Sequence, residues 1–194
     1  RILGWTNWRR GRRDIHRREV LDALTADMES EAPDHIAVTG DLTIVSSRAE
    51  WSACRQWLEG IGRADHVTLI PGNHDAYTRR AVPATKRAWH EYMTGDSADP
   101  TDDMARFPYI RRRGPLALIG VSSAIATAPF MATGRVGHAQ RKRLRAMLET
   151  LQDSSLFRIV LIHHPPLPAK GDRFRRLLDG PEFCKVVARA GADL

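Results

Sequence analysis

Three short apolar runs in this chain stop abruptly at polar residues, and each has the length of a buried strand. Ile36-Ala37-Val38-Thr39 runs into Gly40-Asp41, and His66-Val67-Thr68-Leu69-Ile70 runs into Pro71-Gly72-Asn73-His74-Asp75. Phe157-Arg158-Ile159-Val160-Leu161-Ile162 runs into His163-His164-Pro165-Pro166. Between these runs the apolar positions switch to helical spacing. From Asp14 to Glu31 the residues Val20, Leu21, Leu24 and Met28 share one face, with Asp14 as the predicted N-cap. Ser47-Arg48-Ala49-Glu50 predicts a helix start, since the hydroxyl and the carboxylate can satisfy backbone amides reciprocally. Trp51, Cys54 and Leu58 then line one side, and Gly60 ends the helix. Further helices are predicted from about Pro83 to Met93 and from Gly137 to Leu151, the second burying Leu144, Met147, Leu148 and Leu151. For all of these faces the expected role is core packing.

The middle of the chain differs in kind. Phe107-Pro108-Tyr109-Ile110 and Pro115 to Val121 are strand-like, and Arg111-Arg112-Arg113-Gly114 between them reads as the turn of a hairpin. Asp96 to Asp103, acidic and containing proline, reads as a solvated loop. Strands alternating with helices predict an α/β protein.

The length of 194 residues predicts a single domain over 1–194, large enough for a continuous core. Hydrophobic residues make up 42% of the chain without any run long enough to span a bilayer, which excludes a membrane-spanning helix. Cys54 and Cys184 are few and far apart, so free thiols in a reducing, cytoplasmic compartment are expected rather than a bridge.

In an open sheet with parallel strands, polar residues just past the carboxyl ends converge on the ligand crevice. Asp41, Asn73 and His163 would meet there. Oxygen and imidazole donors without thiolate suit manganese, iron or zinc, and a carboxylate such as Asp41 can bridge two ions. Gly40 and Gly72 suit a chain that turns sharply beside a metal or phosphate, and Pro71 stiffens the second turn. Each piece alone has a plainer reading: Gly-Asp as an ordinary turn, and His-His before two prolines as a strand stop. Their occurrence together, in order, at three strand ends is what points to a metal site.

Gly40-Asp41, Gly72-Asn73-His74-Asp75 and His163-His164-Pro165 resemble the calcineurin-like metallophosphoesterase family, and the resemblance covers essentially the whole chain. It implies a two-sheet β-sandwich flanked by helices, the hairpin belonging to the second sheet and the loop Ser122 to Gly134 walling the substrate pocket. It also implies a hydrolase for phosphomonoesters or phosphodiesters that uses water activated by two divalent metal ions. By that likeness Asp41 bridges the metals, Asn73 and His163 bind one of them, and His74 gives a proton to the leaving group while Asp75 orients it. Of the two adjacent histidines, His163 matches the family's ligand, two residues before the proline, with His164 as the alternative. The family's Asp-x-His and Gly-His-x-His are missing. Asp14-Ile15-His16 has the first spacing but lies among Arg12, Arg13, Arg17 and Arg18 at a helix head, not at a strand end. The expectation is therefore a domain truncated at both ends, a weak catalyst or none by itself.

Thirty Lys and Arg against 23 Asp and Glu give a net charge of +7, concentrated at Arg9, Arg10, Arg12, Arg13, Arg17 and Arg18. A positive field attracts phosphate-bearing substrates without naming one. With Trp5 and Trp8 alongside, the cluster is also compatible with an anionic membrane surface, held peripherally, or with nucleic acid. The plainer reading, tryptophans packed in a loop and arginines solvated, is the one charge runs favour. A non-catalytic phosphoesterase-like scaffold and a basic nucleic-acid-binding module are the alternatives to an enzyme.

Overall fold

A computed structural model of the chain describes residues 17–99, 101–128, 131–167 and 174–194. Asp14, Trp5, Trp8 and the arginines from Arg9 to Arg13 lie outside the described residues. In chain order the elements are α1 (Arg18–Ser30), β1 (Ile36–Val38), α2 (Arg48–Ile61), β2 (Val67–Leu69), α3 (Ala81–Ala88) and a 3-10 turn (His90–Met93). They continue with β3 (Tyr109–Arg113), β4 (Leu116–Gly120), α4 (His138–Glu149), β5 (Phe157–Leu161) and α5 (Gly180–Ala190).

The strands form two sheets. β1 and β2 pair in parallel, with Ile36 opposite Val67 and Val38 opposite Leu69. β3, β4 and β5 form the other, antiparallel between β3 and β4 and parallel between β4 and β5. The three strands that end at the candidate site are thus divided between the sheets, not gathered in one open sheet as expected. Asp193 and Leu194 extend the second sheet by bonding the backbone of Arg158 and Val160.

Side-chain burial explains the layering. β2 is buried on both faces, and its cluster takes Leu58 and Ile61 from α2, Trp89, Tyr92 and Met93 around the 3-10 turn, Phe107 from just before β3, and Tyr109 from β3 itself. The opposite face of that second sheet carries Ala117, Ile119 and Val121 against Leu144 and Leu148 of α4 and Phe183 and Ala190 of α5. The result is helix, sheet, sheet, helix. Tyr109 crosses between the sheets, its hydroxyl donating to the Leu69 carbonyl at 2.6 Å. Gly120 permits this, since a Cβ there would lie 2.5 Å from the Tyr109 ring.

Several expectations need correction. The three arginines are strand, not turn: β3 runs to Arg113, and only Gly114, at φ +53°, and Pro115 make the reversal. Arg111 is 3% exposed and donates to the carbonyls of Thr94, Ala64, Val67 and Glu91. A guanidinium's forked donors meet one carbonyl of β2, one just before it and two at the 3-10 turn, which is how a charged side chain enters the core. The α1 face is not core either: Leu24 is 62% exposed, Val20 and Leu21 are exposed, and only Met28 packs inward. That helix starts at Arg18 with Arg17 as its N-cap. The Ser47–Glu50 box forms as expected, but the helix continues past Gly60 to Ile61, with Gly62 as its cap. The stretch from Asp96 is tied down where it begins, the Asp96 carboxylate accepting from the Arg112 amide and the Arg113 guanidinium. Cys54 and Cys184 are free and half-buried, and no helix among the described residues is long and apolar enough to cross a membrane.

Candidate metal centre

The ends of β1 and β2 leave their sheet as two turns that interlock. Gly40 takes φ +97° and Asp41 φ +60°. A Cβ on Gly40 would lie 2.3 Å from the Gly72 nitrogen, and one on Gly72 would lie 2.1 Å from Asp41 Oδ1. Two glycines therefore let the turns touch backbone to backbone, and no larger residue could stand at either place.

Asp75 holds this junction. Its Oδ2 accepts from the amides of Asp41 at 2.8 Å and Gly72 at 2.9 Å, and its Oδ1 accepts from the Thr43 amide at 3.0 Å and hydroxyl at 3.1 Å. The side chain is fully buried. Burial, helped by the nearby Asp41 charge, pushes its carboxyl above the usual carboxylate range, against the pull of the amide donors. Its main-chain carbonyl in turn accepts from the hydroxyls of Ser46 and Thr85. Asp75 was expected to orient His74, and this is corrected: its oxygens are taken up by the two turns, and the His74 ring has another partner. His74 Nδ1 lies 2.7 Å from the Ile44 carbonyl. A carbonyl only accepts, so Nδ1 carries the hydrogen and Nε2 is the nitrogen this contact does not engage.

Asp41 faces the end of β5. Its Oδ1 accepts the His74 amide at 2.9 Å, and its Oδ2 lies 3.5 Å from His163 Nε2. His163 Nδ1 donates to the Thr39 carbonyl at 2.7 Å, which turns Nε2 toward the carboxylate. Partial burial works against a charged Asp41, but the facing His163 imidazole and the His74 amide outweigh it and hold the carboxyl below its usual range. Burial equally opposes a charged His163, and Asp41 outweighs it, leaving the imidazole above its ordinary value.

The donor set fits a divalent cation. Two ligands each about 2.1 Å from a tetrahedral ion stand about 3.4 Å apart, and the Asp41–His163 separation is 3.5 Å. That is long for a direct hydrogen bond. Asn73 follows Gly72 on the facing turn, half-buried, and among the described residues its side-chain amide has no hydrogen-bond partner. No group of three or more His, Cys, Asp or Glu among the described residues is arranged to hold a metal, so an amide oxygen would have to complete the set.

His164 points elsewhere. It is buried, with Nδ1 2.7 Å from Ser123 Oγ, and a Cβ on Gly134 would press into its ring. Burial, then the charge of His163, lowers its pKa to about 4. Within the described part of the loop from Ser122, Ser122 and Ser123 are buried, and Ala132 and Gly134 bond the backbone of Phe174 and Arg176.

Sequence reasoning missed the main-chain acceptors. The carbonyls of Thr39 and Ile44 set both imidazoles, and no side chain signals them. Thr43 does carry a side-chain signal, a hydroxyl two residues past Asp41.

Over 169 residues, 86% of this chain and 56% of the relative, the sequence is 25% identical to a probable cyclic nucleotide phosphodiesterase of Synechococcus sp.. The chain thus spans little more than half the length of that protein. The sequence profile of the calcineurin-like phosphoesterases matches residues 14–194. That stretch takes in both glycine turns and the histidine that closes on them from the second sheet, so the chain belongs to the calcineurin-like phosphoesterase family.

Proposed function

We propose that the protein is a metal-dependent phosphoesterase in which Asp41, Asn73 and His163 hold a divalent cation, with Asp41 able to bridge a second. The observation that carries this reading is the 3.5 Å approach of Asp41 Oδ2 to His163 Nε2, with Thr39 occupying the other ring nitrogen. Such a cation supplies Lewis-acid activation of water and neutralises charge on the phosphoryl oxygens. Manganese, iron and zinc all suit the donors.

The chain's own residues do the rest. Asp75 and the His74 amide fix Asp41, leaving Oδ2 toward His163. The Ile44 carbonyl holds the hydrogen on His74 Nδ1, so that when the ring is the imidazolium its Nε2–H is the proton that passes to the departing oxygen, leaving the neutral Nδ1–H tautomer, a contribution of about 10²–10⁴ in rate. The relative's name supports a cyclic phosphodiester as the first substrate to try, and the positive charge suits any phosphate ester.

The test uses the full-length protein with manganese, a chromogenic aryl phosphodiester and a 3′,5′-cyclic nucleotide. Chelator should abolish hydrolysis and manganese restore it. Calorimetry should show His163→Ala weakening manganese binding by at least about tenfold, while His74→Ala binds manganese normally and turns over poor leaving groups slowly. Manganese affinity indifferent to His163 would refute the assignment. Retention on DNA without turnover would favour the nucleic-acid-binding alternative.

A further inference from the structure

The carboxylate of Glu50 has more partners than a helix start needs. Its Oε2 accepts the Ser47 amide at 2.7 Å, which completes the reciprocal cap with Ser47 Oγ accepting from Glu50 N at 3.3 Å. Its Oε1 reaches beyond the helix and accepts the amides of Ile44 at 2.8 Å and Val45 at 3.2 Å. The carbonyl of the same Ile44 receives His74 Nδ1 at 2.7 Å. One residue thus lies between a half-buried carboxylate and the imidazole.

The segment 41–47 needs such a restraint. Asp41 at φ +60° and Ser46 at φ +56° both occupy the left-handed region, which is unfavourable for a residue other than glycine. Conformations of that kind persist only where neighbours over-determine them. Asp75 secures the near end at Asp41 and Thr43, and Ser46 is held at the far end by its hydroxyl on the Asp75 carbonyl and by the Trp51 indole. Between them, Glu50 holds Ile44 and Val45.

We infer that Glu50 is a positioning residue for His74: by holding the Ile44–Val45 amides it aims the Ile44 carbonyl that keeps the hydrogen on His74 Nδ1 and leaves Nε2 for proton transfer. The inference rests on the reading of His74 as proton donor to the leaving group, and its test separates the two.

Two readouts are taken on the full-length protein. The first is the tautomer of His74 from ring nitrogen chemical shifts, assigned against His74→Gln, which needs neither metal nor turnover. The second is kcat and KM for aryl phosphodiesters of increasing leaving-group pKa. Glu50→Ala should mix the His74 tautomers and lower kcat about 10²-fold for the poorest leaving group, with a change within about threefold for p-nitrophenyl and an unaltered KM. Should that variant not fold, Glu50→Asp carries the same expectation in milder form, because a carboxylate drawn back by one methylene cannot span Ile44 and Ser47 together. Glu50→Gln should restore both readouts, since its single oxygen is better used by the two amides of Ile44 and Val45 than by one at Ser47. Ser47→Ala removes the other half of the cap, and should lower Tm while leaving the tautomer and the leaving-group dependence alone.

An unchanged tautomer in Glu50→Ala, or in Glu50→Asp if only that variant folds, would overturn the inference. So would a rate loss equal across leaving groups where His74→Ala itself is selective for poor ones, or a Ser47→Ala effect matching that of Glu50→Ala. A mixed tautomer in Glu50→Ala together with a His74→Ala enzyme whose leaving-group dependence is normal would uphold the positioning and reject His74 as the acid.

Discussion

Asp75→Asn changes one atom at the junction of the two glycine turns, and its cost can be worked from the bonds present. The carboxylate accepts from three amides and one hydroxyl. An asparagine keeps one oxygen, best used by the Asp41 and Gly72 amides, and sets its NH2 toward Thr43. The Thr43 hydroxyl can rotate to accept, but the Thr43 amide is a donor and cannot. One buried donor without a partner costs about 1–3 kcal/mol, and the two bonds that remain lose charge assistance worth roughly 1 kcal/mol each. Not having to bury a charge offsets part of this. The net expectation is a loss of about 3 kcal/mol from a total stability of about 5–15 kcal/mol. Urea unfolding should show it as a midpoint lowered by about 1.5 M, for a slope of about 2 kcal/mol/M. Stability within about 1 kcal/mol of the parent, combined with a selective loss on poor leaving groups, would mean that Asp75 acts on His74 after all.

Other expectations follow from buried polar groups. His35 donates to or accepts from Thr68 Oγ1 at 2.6 Å, and burial followed by the charges of Arg113 and Arg111 lowers its pKa from 6.5 to about 4. The unfolded chain therefore takes up the proton first, so this part of the stability is complete above pH 6.5, falls as pH drops through that window and levels off below about 4. His35→Gln should flatten that portion of a pH series of urea midpoints, and a slope left intact would exclude His35 as its source. Arg111→Met strips four carbonyls of their donor and should cost at least about 4 kcal/mol; chemical denaturation showing under about 1 kcal/mol would mean that water takes over the carbonyls. Cys54 donates to the Leu42 carbonyl at 3.0 Å, and burial, then the Asp75 charge, pushes its thiol up to about 12. A thiol-disulfide reagent near neutral pH should modify Cys54 much more slowly in the folded than in the urea-unfolded protein, and equal rates would refute this.

What the sequence disclosed tracks where side chains alone carry the information. Strand ends at Asp41, Asn73 and His163 were legible because an apolar run followed by a metal-compatible donor is a side-chain pattern, and the Ser47–Glu50 cap is likewise written in residue types. The arginines of β3 misled because charge reads as solvent, whereas Arg111 is buried among carbonyls of Ala64, Val67, Glu91 and Thr94, which lie well before it in sequence. The α1 face misled in the opposite sense: Val20, Leu21 and Leu24 have the period of a core stripe, yet nothing among the described residues covers them. Asp75 is the subtlest case. Its adjacency to His74 suggested a direct bond, but neighbouring side chains leave the backbone in different directions, and the amides of a crossing turn offered the carboxylate more.

The division of the proposed ligands between two sheets has a mechanical consequence. Asp41 and Asn73 travel with β1 and β2, and His163 travels with β5. Their approach therefore depends on how the sheets stack, which is set where Tyr109 reaches Leu69 and Arg111 reaches Val67. At the site end the sheets are joined directly by the His163 bond to Thr39. A cation bound between Asp41 and His163 would add a second tie at the same edge, and would stabilise the packed sandwich by its preference for the folded arrangement. On the proposed reading, Tyr109→Phe, which removes the hydroxyl bond to the Leu69 carbonyl, should weaken manganese binding in calorimetry without any change to a ligand, and an unchanged affinity would refute the coupling.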